Sequence, residues 1–357
     1  MKKNILFIIE SLSNGGSERT ITNLSNELIN DNNIYIVVCN NKIDYKLNSK
    51  IKIIEIPNLQ LRNPIKRIIG IIKLRKIKKI YNINTSISFI TSFNLFNTLS
   101  KYKEKTIVSI RNHQSTKNES IIAKVSNKLS NKLCDLIVCC SKSVYEDQIN
   151  NFNAKKEKTI IIENFTTIKK LNNSKKDNII CTIGRLTEHK GQIHIINAMK
   201  EVIKEYPEYK LLIIGRGEKY DELDNYIKEN KLNKNIKLLG FKNNIDYYLN
   251  KSKIFVLTSY YEGFSNSILE AMTLGIPVIA TDSPGGNKEI LDNKYGILIP
   301  DFNNRETNIK ENELLLSKEI IKLIKDKKIY NYYHNKSLER VKKYDKKIII
   351  NKWLNII

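Results

Sequence analysis

Residues 258–286 read TSYYEGFSNSILEAMTLGIPVIATDSPGG, and this stretch decides the fold. It opens as the apolar run Ile254-Phe255-Val256-Leu257 closes, the pattern of a strand buried on both faces of a parallel sheet. A Gly-bearing turn leads to a helix over about 265–274, then to a second apolar strand at 277–280 that ends in a turn with Pro284, Gly285 and Gly286. Such a unit gathers its loops at the carboxyl ends of the strands, where open α/β sheets bind ligands. Glu262 falls in the loop before the helix and Glu270 about a turn inside it. The backbone N–H groups of Phe264, Ser265 and Asn266 at the helix start make an anion site. Two acids beside such a site make little sense for packing. They suit a ligand that carries hydroxyls as well as phosphates.

The same alternation runs outward in both directions. Upstream, strands are expected at 5–9, 34–39, 51–56, 85–90, 106–110, 136–140 and 159–162, with helical segments between most of them. A second series has strands at 179–183, 210–214, 236–239, 254–257, 277–280 and 296–299, and helices at about 191–205, 218–230, 244–251, 265–274, 312–326 and 328–343. The segment 344–357 reads as one more amphipathic helix, holding the only Trp, Trp353. The pattern predicts an α/β chain with two Rossmann-like, doubly wound domains, at 1–165 and 178–343, joined by a polar linker at 166–177.

With 357 residues, 41% of them hydrophobic and 27% charged, the chain is long enough for two cores and is not a disordered polymer. Lys and Arg outnumber Asp and Glu by 61 to 37, a formal charge of +24 that favours anionic partners such as nucleotides, acidic lipids or nucleic acid. The five cysteines lack CxxC spacing and sit mostly in apolar runs, so buried reduced thiols are expected and a zinc site is not. The opening MKKNILFIIE is too short an apolar run for a signal peptide and ends in Glu10; a cytoplasmic protein is expected.

One segment stands apart. Over 62–81 the chain reads RNPIKRIIGIIKLRKIKKIY, with Ile65, Ile68, Ile69, Ile72 and Ile80 near one helical face and eight basic residues around them, without one acid. A basic amphipathic helix can lie on an anionic bilayer or grip a pyrophosphate. It can also cover a sheet while its Lys and Arg reach into water.

Chemistry-bearing residues cluster after the strands. Arg185 follows the strand at 179–183 and Lys190-Gly191 opens the next helix, so one loop projects two cations able to neutralise a diphosphate and its growing charge on departure. Gly215-Arg216-Gly217 is a second Gly-rich loop, equally readable as a turn. Gly15 and Gly16 lie between the first strand and a helix expected from about Glu18, and permit close backbone approach by a phosphate or sugar. They lack the spacing of the GxGxxG dinucleotide fingerprint.

Together, Gly184-Arg185-Leu186 through Lys190-Gly191, the run EGFSNSILEA at 262–271 and the opening SNGGSER at 13–19 resemble the retaining GT-B glycosyltransferases of family four, over nearly the whole chain. The resemblance implies two domains facing a central cleft, with 344–357 crossing back to the first. It implies that Arg185 and Lys190 bind the donor diphosphate, that Glu270 accepts from the ribose hydroxyls, and that Glu262 contacts the transferred sugar. Backbone groups of Phe264, Ser265 and Asn266, with Gly15 and Gly16, complete the cradle for the nucleotide sugar. Transfer proceeds with retention, and the leaving phosphate itself takes the acceptor proton. No cofactor and no metal are implied, which agrees with the lack of any DxD sequence. Many members carry a His after a central strand of the first domain. Here Arg111 stands at that point and His113 two residues on, and either can reach the sugar. His189 reads as a bystander, and His194 and His334 as surface or packing residues.

The expected function is transfer of a hexose or N-acetylhexosamine from a nucleotide sugar, with UDP as the expected nucleotide. The acceptor is a glycan or a polyprenyl-diphosphate-linked glycan built for a surface polysaccharide. The enzyme would be cytoplasmic or peripheral on the membrane, held through the helix at 62–81. The alternatives are a sugar-nucleotide epimerase or hydrolase on the same scaffold, or a basic nucleic-acid-binding protein, although no nucleic-acid motif is recognisable.

Overall fold

The computed structural model describes residues 2–13, 15–57, 64–116, 120–169, 176–303 and 308–357. The chain divides into two compact units, Met1–Asn164 with Lys347–Ile357, and Phe165–Lys346. Residues 170–175 of the expected linker, and 62 and 63 of the expected basic helix, lie outside the described residues. Thr166, at the start of that linker, pairs with Asp345 inside the second unit.

The first unit carries a seven-stranded parallel sheet of β1 (Asn4–Ile8), β2 (Asn33–Val38), β3 (Lys52–Glu55), β4 (Thr85–Ser88), β5 (Lys105–Ile110), β6 (Leu136–Cys139) and β7 (Thr159–Ile161), in the order β3-β2-β1-β4-β5-β6-β7. Its helices are α1 (Gly16–Leu28), α2 (Pro64–Ile80), α3 (Thr91–Leu99), α4 (Ile121–Leu133) and α5 (Lys142–Asn151). The continuous apolar runs of β1 and β5 are buried because helices cover both faces of the sheet. The first helix starts two residues before the expected point, since Arg19 N already donates to Gly15 O at 3.1 Å.

The second unit has six parallel strands, β8 (Ile179–Ile183), β9 (Lys210–Ile214), β10 (Ile236–Leu238), β11 (Ile254–Leu257), β12 (Val278–Thr281) and β13 (Ile297–Ile299), in the order β10-β9-β8-β11-β12-β13. Its helices are α6 (Gln192–Glu205), α7 (Tyr220–Glu229), α8 (Ile245–Lys251), α9 (Asn266–Thr273), α10 (Asn287–Leu291), α11 (Ile309–Lys325) and α12 (Lys327–Val341). The strand expected at 277–280 begins one residue later, because Pro277 has no N–H to give the ladder and serves only through its carbonyl, which accepts from Phe255 N at 3.0 Å. The short α10 was not expected; the Pro284-Gly285-Gly286 turn masks it in the sequence.

The last helix, α13 (Lys346–Leu354), returns the chain to the first unit. Trp353 is buried there and stacks on Phe89 with centroids 6.0 Å apart, while Lys352 pairs with Glu163 at 2.7 Å. No helix among the described residues is long and apolar enough to cross a membrane.

The helix α2 departs from its sequence reading. It packs inward through Gly70, Ile71, Leu74, Ile77 and Lys78, so the stripe of Ile65, Ile68, Ile69 and Ile72 faces outward. Lys78 does not belong to the basic surface: it is buried and pairs with buried Glu104 at 2.7 Å, also donating to Asn97 O at 2.7 Å. Burial pushes its ammonium down to about 8, against the pull of Glu104.

Candidate active site

In the second sheet the chain winds from β8 to β9 and β10 on one side, then resumes beyond β8 with β11. The strand order therefore reverses between β8 and β11, and the loops leaving these two neighbours part to open a crevice. Arg185 and Lys190 lie in the first loop, and Glu262 in the second. The structure joins the second and third of these: Lys190 Nζ lies 2.5 Å from Glu262 Oε1, with both side chains largely buried. Ser259 Oγ donates to the same oxygen at 2.7 Å. Burial works against the Glu262 carboxylate, but the charge of Lys190 and the bonds from Lys190 and Ser259 outweigh it and hold the carboxyl below its usual range.

Both loops are fixed by backbone packing that only glycine allows. A Cβ at Gly191, where φ is +58°, would stand 2.4 Å from Thr258 O. Thr258 Oγ1 donates to Gly191 O at 2.8 Å, docking the Lys190 loop on the end of β11. The Gly215-Arg216-Gly217 turn is a support for the Arg185 loop: a Cβ at Gly215 would fall 1.8 Å from Gly184 O, and Leu186 N donates to Arg216 O at 3.0 Å. The turn after β12 supports Glu262 in the same way. Glu262 N donates to Pro284 O at 2.9 Å, and a Cβ at Gly285 would fall 1.8 Å from Glu262 O. The side chain of Arg185 is exposed beside this framework, while Gln192 Nε2 holds its carbonyl at 2.8 Å.

Glu270 is buried on the second turn of α9. The Ser265 hydroxyl caps that helix, accepting from Ile268 N, and the Phe264 ring is buried against Tyr344 with centroids 5.2 Å apart. The Ser265 and Phe264 side chains thus both serve the local structure of this helix start. The His189 ring stacks on Tyr261 with centroids 4.9 Å apart, and its carbonyl accepts from Tyr260 N at 2.8 Å. His194 is a packing residue, buried face to face with Phe302 and bonded to Glu313 Oε1 at 2.8 Å and Tyr260 Oη at 2.9 Å. Sequence reasoning missed Thr258, Ser259 and Gly285. A Thr-Ser pair closing a strand before an acid was the available signal.

The remaining candidates belong to the first unit, whose strand order reverses between β1 and β4. Gly15 and Gly16 follow β1, with Gly15 as the cap of α1. Beyond β5, Arg111 is turned inward, buried, with its guanidinium bonded to Asn164 and lying 5.5 Å above the Phe89 ring. Burial pulls its ionisation downward. His113 stays half-buried, with Nδ1 3.8 Å from Asp147 Oδ2.

Residues 163–344 match the family described as glycosyl transferases group 1. An uncharacterised glycosyltransferase of Methanocaldococcus jannaschii is 32% identical over 81% of this chain and 76% of its own length. A Campylobacter jejuni enzyme, named N-acetylgalactosamine-N,N'-diacetylbacillosaminyl-diphospho-undecaprenol 4-alpha-N-acetylgalactosaminyltransferase, is 28% identical over 97% of this chain and 96% of its own. The crystal structure of Anabaena HepE, in complex with UDP and glucose, superimposes with a TM-score of 0.83 at 17% identity, covering 99% of this chain and 98% of that one. This last likeness carries the fold, GT-B, and not the ligand. With Arg185, Lys190 and Glu262 set at the reversal point of its second sheet, the chain belongs to the glycosyl transferases group 1 family.

Proposed function

We propose that the protein is a retaining, metal-independent glycosyltransferase that moves a hexose or N-acetylhexosamine from a UDP-sugar to a glycan or polyprenyl-diphosphate-linked acceptor in surface polysaccharide synthesis. The observation that carries this reading is the Lys190–Glu262 pair at the β8/β11 crevice. An ammonium has three donors, so Lys190 can hold Glu262 and still meet a phosphate oxygen. In the proposed reaction Arg185 and Lys190 stabilise the negative charge that grows on the diphosphate as its bond to the anomeric carbon breaks. The acceptor oxygen bonds to that carbon from the same face, and its proton leaves on the departing phosphate. Glu262 holds a hydroxyl of the sugar, Glu270 the ribose, and the backbone N–H groups of Phe264, Ser265 and Asn266 the phosphates. Gly15, Gly16 and His113 are assigned to the donor and sugar on the family resemblance alone.

The hexosamine and the lipid-linked acceptor are supported by the name of the Campylobacter relative. A peripheral position on a membrane is supported by α2, whose outward stripe of isoleucines lies among Lys66, Arg67, Lys73, Arg75, Lys76 and Lys79.

The test is thermal unfolding with a panel of nucleotide sugars in EDTA, for the wild type and Glu270→Gln. Stabilisation of a few degrees by one UDP-sugar, much reduced in the variant, is expected. NMR of the product made from that donor should then show the donor's anomeric configuration. Free sugar as the main product would turn the reading to a hydrolase. Absence of any shift would sink it.

A further inference from the structure

The helix α4 is built inside out. Its inward face is polar: Asn127, Ser130 and Asn131 are fully buried. Asn127 Nδ2 donates to Gln114 Oε1 at 2.5 Å, and Asn131 Nδ2 to Gln148 Oε1 at 2.9 Å and Phe152 O at 3.1 Å. Its outward face carries Ile121, Ile122, Val125, Leu129 and Leu133, exposed to 80, 72, 57, 39 and 40%. At 3.6 residues per turn these five form one stripe, turned away from the buried asparagines. Lys124, Lys128 and Lys132 flank it, and the helix has no acid.

A surface helix in water normally turns its apolar stripe to the core. Here the core side is occupied by a hydrogen-bonded polar network, so the apolar stripe is left for a partner. The neighbouring helices show which side of the unit this is. The right-handed crossovers β3 to β4, β4 to β5 and β5 to β6 place α2, α3 and α4 in one layer on one face of the sheet, and α3 packs against both of the others. The α2 stripe of Ile65, Ile68, Ile69 and Ile72 and the α4 stripe thus lie on the outer surface of the same layer.

Charge decides the occupant. Neither helix has an acid, and both carry lysines or arginines around their isoleucines. A second copy of this chain would set these charges against themselves, whereas an anionic bilayer complements them and accepts the apolar side chains below its headgroups. We propose that α4 is a membrane-inserting helix, dipping Ile121, Ile122, Val125, Leu129 and Leu133 into the headgroup–acyl boundary of an anionic bilayer beside α2. The inference rests on the peripheral position proposed above and adds a second helix, to which the sequence pattern assigned no role.

The test is co-sedimentation of the full chain with vesicles of phosphatidylcholine alone or mixed with phosphatidylglycerol, using wild type, Val125→Ser/Leu129→Ser in α4 and Ile68→Ser/Ile72→Ser in α2. The wild type is expected to bind the anionic vesicles. The α4 variant should lose roughly tenfold or more of its partitioning, with thermal unfolding unchanged, since both sites face outward. An α4 variant that binds like wild type, with the α2 variant impaired, overturns the inference and leaves the peripheral reading standing. A wild type that ignores both vesicles overturns the two together. A lipid-free dimer dissociated by the α4 variant would assign the face to a second copy of the chain, and overturn it too.

Discussion

At Glu262 two effects oppose each other. Burial favours the neutral acid, while the Lys190 charge and the bonds from Lys190 and Ser259 favour the carboxylate and prevail. Its folded pKa therefore lies below the unfolded value near 4.5, so its contribution to stability is present above that pH and lost as pH falls through the folded pKa. Glu262→Gln should flatten this acid dependence: denaturant unfolding below pH 4.5 should show the wild type losing more stability than the variant. Equal acid slopes would mean that the pair contributes nothing. Lys190 and Glu262, which the structure pairs, could be singled out in the sequence because a charge in the loop after an apolar strand has few structural uses. Ser259 was not, because a hydroxyl three residues from an acid gains meaning only when the loop folds it onto Oε1.

The loops after β8, β9, β11 and β12 act as a stack, each backbone resting on the next. Gly285 is the clearest case, with φ at +129° and no space for a Cβ against the Glu262 carbonyl. Gly285→Ala should displace the Glu262 loop and lower turnover by about a hundredfold, as a displacement near 1 Å can. Steady-state kinetics with stability measured in parallel checks this, and near-normal turnover would show that the loop is not placed by that contact. A second element is held by a buried charge. Lys78→Met should cost about 3 kcal/mol by leaving Glu104 buried without its cation, and adding Glu104→Gln should recover most of that loss. Urea denaturation of the single and double variants decides it. The sequence placed Lys78 among the surface cations of a basic helix, because helical spacing cannot say which lysine meets an acid twenty-six positions on.

Across the whole molecule, the chain leaves the first unit after Asn164 and comes back to it at Lys347. Trp353 is the anchor of that return, buried against Phe89. Trp353→Ala should destabilise the protein by about 3–5 kcal/mol through the cavity it leaves, a loss measurable by denaturant unfolding followed by circular dichroism. A change under about 1 kcal/mol would show that the terminal helix adds little to that core.

The strand positions and the division into two doubly wound units followed from local pattern. Apolar strands of three to six residues, alternating with amphipathic stretches, have few arrangements open to them once crossovers are right-handed. The meeting of Lys190 and Glu262 was within reach of the same reasoning, since loops at strand ends are where such residues come together. What only the tertiary structure decided is direction. Whether Arg111 points in or out, which lysine of α2 is buried, and that α4 turns its asparagines inward and its isoleucines outward depend on partners distant in sequence, chosen by packing and hydrogen bonding that no local spacing encodes.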